Sequence, residues 1–500
     1  MEIRETILQI ESLWLKIQRQ LEFLKEVWSS LDEEYQIHQN TVLQVLHRKA
    51  QAAVTLIDSI IGGTRSEDGS SIRSILLKRG ESKRAKYAII VKNNLKSALV
   101  DLKEWADTFD VSWFLILRSA GKDIDQQLKP VVLGKMEPLS ILKTLREAIA
   151  SESSSDSQVE NTTIFLREDF FLDKYTTLKN SGAEIRLGRG SGEESQYLVD
   201  QQSSMSTLSD RCKLAKILRT VDPYSFGILK CEGLVKEPIP GTDLAPTRFA
   251  FVIPKSLQQP QLLRTFVMSR SERHPLDDKF ELSKQLAKAI MFVHSAGFVH
   301  KNIRPETVLL FYPNQPNENS CFAFLIGFES FRLAEGNTVL QGDNIWERNI
   351  YRHPTRQGMQ PGMDYMMQHD IYSLGVCLLE IGLGESLTLP QAGGQESQPN
   401  PLLFTNVDLT MKDRRKKAFQ TKRALVLLAQ ERLPSLMGRK YTEIVVTCLT
   451  CLDKTDNLFG DEEDFLDEDG VLVGVRFIEK VKSFIQGEPI MTALADSDRF

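Results

Sequence analysis

The sequence predicts an α+β protein: an antiparallel helical bundle over residues 1–150, a linker over 151–160, and a mixed domain over 161–490. Three observations carry this prediction. An unbroken apolar stripe runs through the first thirty-one residues. The stretch from Ser151 to Asp156 is wholly polar, as linkers are. Beyond about residue 160 short strand-like segments alternate with helical ones.

The stripe is Ile3, Ile7, Ile10, Trp14, Ile17, Leu21, Leu24, Trp28 and Leu31, spaced by alternating fours and threes. That spacing puts one apolar face on one long helix. A second helix is expected over about 38–61, with Val42, Leu46, Ala53, Leu56 and Ile60 inward and Gly62–Gly63 as its stop. A third spans roughly 83–109, with Ala88, Val91, Leu95, Ala98, Leu102, Trp105 and Phe109 on one face, and a fourth starts near Ser112. Such faces must bury against one another, which gives a bundle. The connection between the second and third helices carries Arg65, Arg73, Lys78, Arg79, Lys83, Arg84 and Lys86. It reads as a solvated loop, with contact to an anionic membrane as the sharper alternative.

The segments Leu13–Lys16, Val27–Asp32 and Leu95–Leu102 resemble the HeLo-type helical domains of fungal signalling and cell-death proteins. The resemblance implies such a domain lacking its more hydrophobic first helix. It also implies protein partners and self-association.

A formal net charge of -5 argues against a nucleic-acid partner, which would call for a basic excess. Met1–Thr6 is charged and lacks the apolar core of a secretory signal, so the expected address is the cytoplasm, peripheral to a membrane if the basic loop engages one. The six cysteines show no framework spacing. Cys448 and Cys451 form a lone CxxC in an apolar helical run and are read as core, since zinc needs two more ligands.

In the mixed domain, Leu208–Leu218 reads as a helix, and Phe226–Val235 and Arg248–Ile253 read as strands with Pro238–Gly241 turning between them. Phe280–Phe298 has helical periodicity. It leads into His300-Lys-Asn-Ile-Arg-Pro-Glu-Thr-Val-Leu-Leu310, which resembles, without a gap, the protein-kinase catalytic loop H-R-D-L-K-P-E-N-I-L-L. Leu325–Glu329 falls where that family has its metal-binding D-F-G. Trp346–Pro354 resembles the end of the activation segment, and Asp370–Glu380 the buried helix of the large lobe. The segment from Tyr441 to about residue 480 resembles the end of fungal kinase-like proteins that carry a helical N-terminal domain.

The resemblance covers roughly 160–490 and implies a bilobal fold, with the small lobe ending near 255. It gives structural roles to His300 beneath the catalytic loop, Phe328 under the small-lobe helix, and Asp370 as acceptor for the loop backbone. At the chemical positions this sequence departs from the family. Asn302 stands at the catalytic aspartate, and an amide cannot take a proton. Thr307 stands at the asparagine that binds the second metal, and Gly327 at the aspartate that binds magnesium. Arg304 keeps a positive charge. Glu329 is the one nearby carboxylate that could substitute as a metal ligand, since Glu306 has a family counterpart that is structural.

A kinase small lobe also needs a glycine-rich turn, a lysine on the third strand and a helix glutamate to hold it. Gly188, Gly190 and Gly192 are the candidate nucleotide-binding glycines, against a plain surface turn. Tyr197-Leu-Val199 runs into Asp200 and Gln201 where the lysine belongs, and Lys230 comes too late. The expectation is a pseudokinase that signals by contact, with no intact catalytic residue; ATP and magnesium are its cofactors only if the cleft still binds them. The alternatives are an atypical serine/threonine kinase and a non-switching scaffold. The basic run at Lys412, Arg414, Arg415, Lys416 and Lys417 reads as a solvated helix face. The acidic run Asp461–Asp469 fails the calcium-loop pattern, because centring on Gly470 puts Phe465 at the first ligand position and Arg476 at the last.

Overall fold

The computed structural model describes residues 164–453, apart from loops at 179–180, 191–193, 202–206, 238–245, 270–273, 315–320, 334–342, 390–396, 405–406 and 409, and scattered positions between 18 and 48. The chain divides into two compact units, Met1–Arg146 and Glu147–Phe500. The predicted bundle lies almost wholly outside the described residues, as do the basic loop 65–86 and the acidic run 461–469. Leu24 is buried at 2% exposure, on the inward side the stripe assigns to it.

The second unit is α+β. Five antiparallel strands form one sheet in the order β1-β2-β3-β5-β4: β1 Phe171–Thr177, β2 Glu184–Arg189, β3 Glu194–Val199, β4 Cys231–Lys236 and β5 Thr247–Val252. Helix α1, Leu208–Leu218, crosses between β3 and β4, with Thr207 accepting from the Asp210 N–H as its N-cap. Cys212, Leu214, Ala215, Ile217 and Leu218 form its buried face.

The segment predicted as one strand over Phe226–Val235 is broken. A short helix, Pro223–Phe226, ends at Gly227 with φ +64°, and pairing starts only at Cys231. The reason is a bond from far along the chain: the Gly227 carbonyl accepts from Leu325 N at 2.8 Å, so that stretch bonds the helical half rather than its neighbour in the sheet. The predicted turn Pro238–Gly241 lies outside the described residues.

The helical half follows. Strand β6, Leu257–Leu262, pairs with β8, Val308–Pro313, and β8 with β9, Phe322–Leu325. Helix α2 is Leu263–Met268, and α3, Leu276–Ser295, delivers the chain to the two-residue strand β7, Phe298–Val299. Helix α4, Met367–Leu383, is buried at all seventeen positions, which explains its apolar run without a polar face. Helices α5, Arg414–Leu436, and α6, Arg439–Thr450, pack on it. Glycine allows the close approach: a Cβ at Gly375 would stand 2.7 Å from Cys448 Cβ, and one at Gly382 would stand 2.7 Å from Leu433 Cδ2. The CxxC is part of this core. Both thiols are buried, the Cys451 thiol is pushed up to about 12 by burial, and its Sγ lies 3.3 Å from the Gln368 carbonyl. Among the described residues no helix is long and apolar enough to cross a membrane.

Candidate functional site

The loop His300–Thr307 is shaped by one buried carboxylate. Asp370, in the first turn of α4, accepts from His300 N at 2.7 Å, Lys301 N at 2.9 Å and Tyr365 Oη at 2.7 Å, and lies 3.1 Å from His294 Nε2. Burial pushes this carboxyl up, but the hydrogen bond and charge of His294 and its other partners outweigh it and hold it below the ordinary range. The two backbone bonds turn Lys301 to φ +66°, a left-handed conformation that costs a non-glycine residue about 1–2 kcal/mol. His300 is wholly buried, edge-on to the Phe328 ring with centroids 4.8 Å apart, and burial lowers its pKa to about 4, so the imidazole is neutral.

Asn302 and Thr307, two of the positions singled out in the sequence, have their side chains hydrogen-bonded within the protein, and Gly327 has none. Asn302 Nδ2 donates to Glu329 Oε1 at 2.5 Å and to the Gly327 carbonyl at 3.3 Å, while its Oδ1 accepts from Arg304 Nε at 3.0 Å. Thr307 Oγ1 accepts from Arg304 N and donates toward the carbonyls of Asn302 at 2.7 Å and Arg304 at 2.9 Å. Gly327 has φ +87°, and a Cβ built there would lie 2.5 Å from Thr307 Cγ2 and 2.9 Å from Thr307 Cβ. Side-chain space at 327 is therefore taken by Thr307. Arg304 reaches back to Glu306 Oε2 at 3.3 Å.

Asp200 enters this site from the sheet. It directly follows β3 and is 1% exposed. Its Oδ2 accepts from Gly327 N at 2.8 Å and Phe328 N at 2.9 Å, and its Oδ1 from Gln201 N at 2.8 Å. Burial raises its pKa against these three N–H donors. Glu329 is raised as well, to about 8, by burial and by the neighbouring Asp200 carboxyl, so at neutral pH it retains a proton. The backbone behind Asp200 is pinned by Arg248 of β5. This guanidinium donates to the Asp200 carbonyl at 2.6 Å and pairs with Glu184 and Glu237, each at 3.2 Å.

No family model matches the chain. It is 27% identical over 161 residues to the serine/threonine-protein kinase PTK2 of Candida glabrata, covering 30% of this chain and 20% of that protein. It is 30% identical over 125 residues to the dual specificity protein kinase lkh1 of Schizosaccharomyces pombe, covering 23% and 17%. It is 32% identical over 115 residues to the mitogen-activated protein kinase mpkC of Aspergillus niger, covering 23% and 26%. The chain thus spans between 17% and 26% of the length of these relatives. Part of this chain is thus similar to fungal protein kinases.

In the second unit Gly188 lies on β2 and Gly190 at the β2–β3 turn. Cβ atoms at these two positions would meet Tyr197, at 2.9 Å and 2.6 Å, so packing against that ring accounts for both glycines. Gly192 lies outside the described residues. Helix α1 contains no glutamate, and its one carboxylate, Asp210, accepts from Thr207 Oγ1 at 2.8 Å at the helix start.

Two buried networks escaped the sequence reading. Arg264 of α2 donates to Glu306 at 2.7 Å, Glu380 at 2.8 Å and Tyr351 Oη at 2.5 Å, and also to Ser386. It ties the His300–Thr307 loop to α4 and to the segment preceding Pro354. Thr355 follows that proline. Its Oγ1 lies 2.8 Å from His353 Nδ1 and 3.2 Å from His369 Nε2. Lys422 of α5 donates to His353 Nε2 at 3.2 Å and pairs with Asp453. Burial and the Lys422 charge keep His353 neutral, with a pKa lowered to about 2. No sequence spacing announces either network, because their members lie up to 122 residues apart.

Proposed function

We propose that the kinase-like domain is a pseudokinase, a folded signalling surface that does not transfer phosphate and that couples to the HeLo-like helical unit through protein contacts. The observation that carries this reading is the filling of the metal position. Thr307 occupies the space a side chain at 327 would need, and Asp200 places a carboxylate where a kinase presents an ammonium to the nucleotide phosphates. A triphosphate beside Asp200 meets a buried carboxyl whose oxygens already accept three backbone N–H bonds, with no cation offered to its phosphates at that position. Glu329 does not replace the missing ligand, because it retains a proton at neutral pH and accepts from the Asn302 amide.

The test is thermal unfolding of the full chain with and without millimolar ATP and magnesium, alongside a phosphotransfer assay. A ligand present at a hundred times its Kd stabilises by about 2.7 kcal/mol, which melting detects readily. The expected result is an unchanged melting temperature and no transfer. A magnesium-dependent rise accompanied by transfer would overturn the proposal and favour an atypical kinase.

A further inference from the structure

Helix α5 carries a face that the kinase-like cleft does not explain. A groove of about 800 Å³ runs along it and reaches the end of α6, lined among others by Arg415, Lys416, Phe419, Arg423, Leu427 and Asp453. Lys416, Phe419, Arg423 and Leu427 follow one another at spacings of three, four and four, so they make one stripe alternating cation and apolar ring or chain. Phe419 is 39% exposed and Leu427 49%, while Arg415, Lys416 and Arg423 are all exposed. Large apolar side chains held open between cations mark a contact surface better than a solvated one.

Asp453, at the groove's edge, is where the described chain stops. From there seven residues lead to Asp461-Glu-Glu-Asp-Phe-Leu-Asp-Glu-Asp469. This run sets seven carboxylates around one apolar pair, Phe465 and Leu466, the complement of a stripe of cations around Phe419 and Leu427. An extended chain covers about 3.3 Å per residue, so the tether spans more than 20 Å, longer than the roughly 16 Å that α5 rises from Lys416 to Leu427.

We propose that the acidic segment 461–469 docks in cis on the α5 stripe, its carboxylates on Arg415, Lys416 and Arg423 and its Phe465–Leu466 pair against Phe419 and Leu427. Docking makes α5 a concealed acceptor: a competing anionic partner, or a modification that alters the segment's charge, exposes the stripe. This does not depend on whether the cleft binds nucleotide.

The test uses the full chain and a glutamate-specific protease, with cleavage after Glu462 and Glu463 followed by mass spectrometry. Reversal of the helix charges, Arg415→Glu with Lys416→Glu and Arg423→Glu, is expected to speed cleavage there on the order of tenfold. Adding Asp461→Lys, Asp464→Lys and Asp467→Lys to that variant restores slow cleavage. In the unaltered chain, raising salt to about 0.5 M speeds it as well, because exposed pairs are screened. In parallel, Phe419→Cys with Phe465→Cys forms an intramolecular disulfide, the natural cysteines described in the fold being buried. Equal cleavage rates in the unaltered and charge-reversed chains, with no disulfide, would overturn the proposal. Protection that grows with protein concentration would overturn it in favour of a second copy's segment.

Discussion

Gly327→Ala tests whether the metal position is filled rather than merely vacated. The added Cβ meets Thr307 Cγ2 at 2.5 Å, Thr307 Cβ at 2.9 Å and Asn302 Nδ2 at 3.1 Å. Overpacking of this kind costs about 1–3 kcal/mol. The backbone adds its own cost, since φ is +87° and a non-glycine residue there loses about 1–2 kcal/mol. The expected loss is therefore about 2–5 kcal/mol, read by urea denaturation of the full chain. Thr307→Ser removes the nearest atom but keeps the hydroxyl that bonds Asn302 and Arg304. In the double variant at least about 1 kcal/mol of the overpacking should return, while the backbone cost stays. Gly327→Asp, which restores the family's residue in name, should lose comparable stability and gain no magnesium-dependent ATP binding. The reasoning fails if Gly327→Ala costs under about 0.5 kcal/mol, the usual size of a neutral surface change, or if Thr307→Ser recovers nothing.

Three further outcomes follow from the same geometry. A carboxyl whose pKa is raised on folding binds more protons in the native state, so Glu329 lowers stability as pH climbs from about 4.5 to about 8; Glu329→Gln, which still accepts from Asn302, should flatten that fall in urea melts at pH 5 and pH 8, and identical slopes would count against it. Arg264→Met strands Glu380 without its cation and leaves Glu306 with Arg304 alone, and should cost about 3–5 kcal/mol, whereas a loss below about 1 kcal/mol would mean the network is not coupled. Ile17→Asp with Leu24→Asp should make the first unit sensitive to limited proteolysis and leave fragments of the second intact; loss of both together would refute independent folding.

How much of this was legible depended on how local the cause was. Helix α1 is bounded in the sequence where it is bounded in the structure, because Thr207 caps it and its apolar spacing is regular. The loop at His300 and the helix at Asp370 were legible as motifs, because a buried turn and a buried helix tolerate few residue types. Strands β1 and β2 were not read: Phe-Leu-Asp-Lys-Tyr-Thr-Thr and Glu-Ile-Arg-Leu-Gly-Arg are half polar, and what fixes them is pairing across the sheet. The same holds for the break before β4, which a bond from Leu325 imposes at a distance. Asp200 was read only as the absence of a lysine. That it caps the backbone at Gly327 and Phe328, more than a hundred residues later, has no signature in the neighbouring letters.

Those two bonds also bear on motion. They run from the end of a sheet strand to the segment after β9, so any swing of sheet against helices that opens the cleft must first break both. A typical hydrogen bond contributes about 0.5–1.5 kcal/mol, so the two together disfavour the opened form by about 1–3 kcal/mol. A conventional kinase cycles between open and closed as nucleotide comes and goes. Here sheet and helices are latched by the protein's own Asp200 carboxyl, and a partner that works this unit as a switch must supply a comparable preference for the unlatched form, or act on a surface that the latch does not touch.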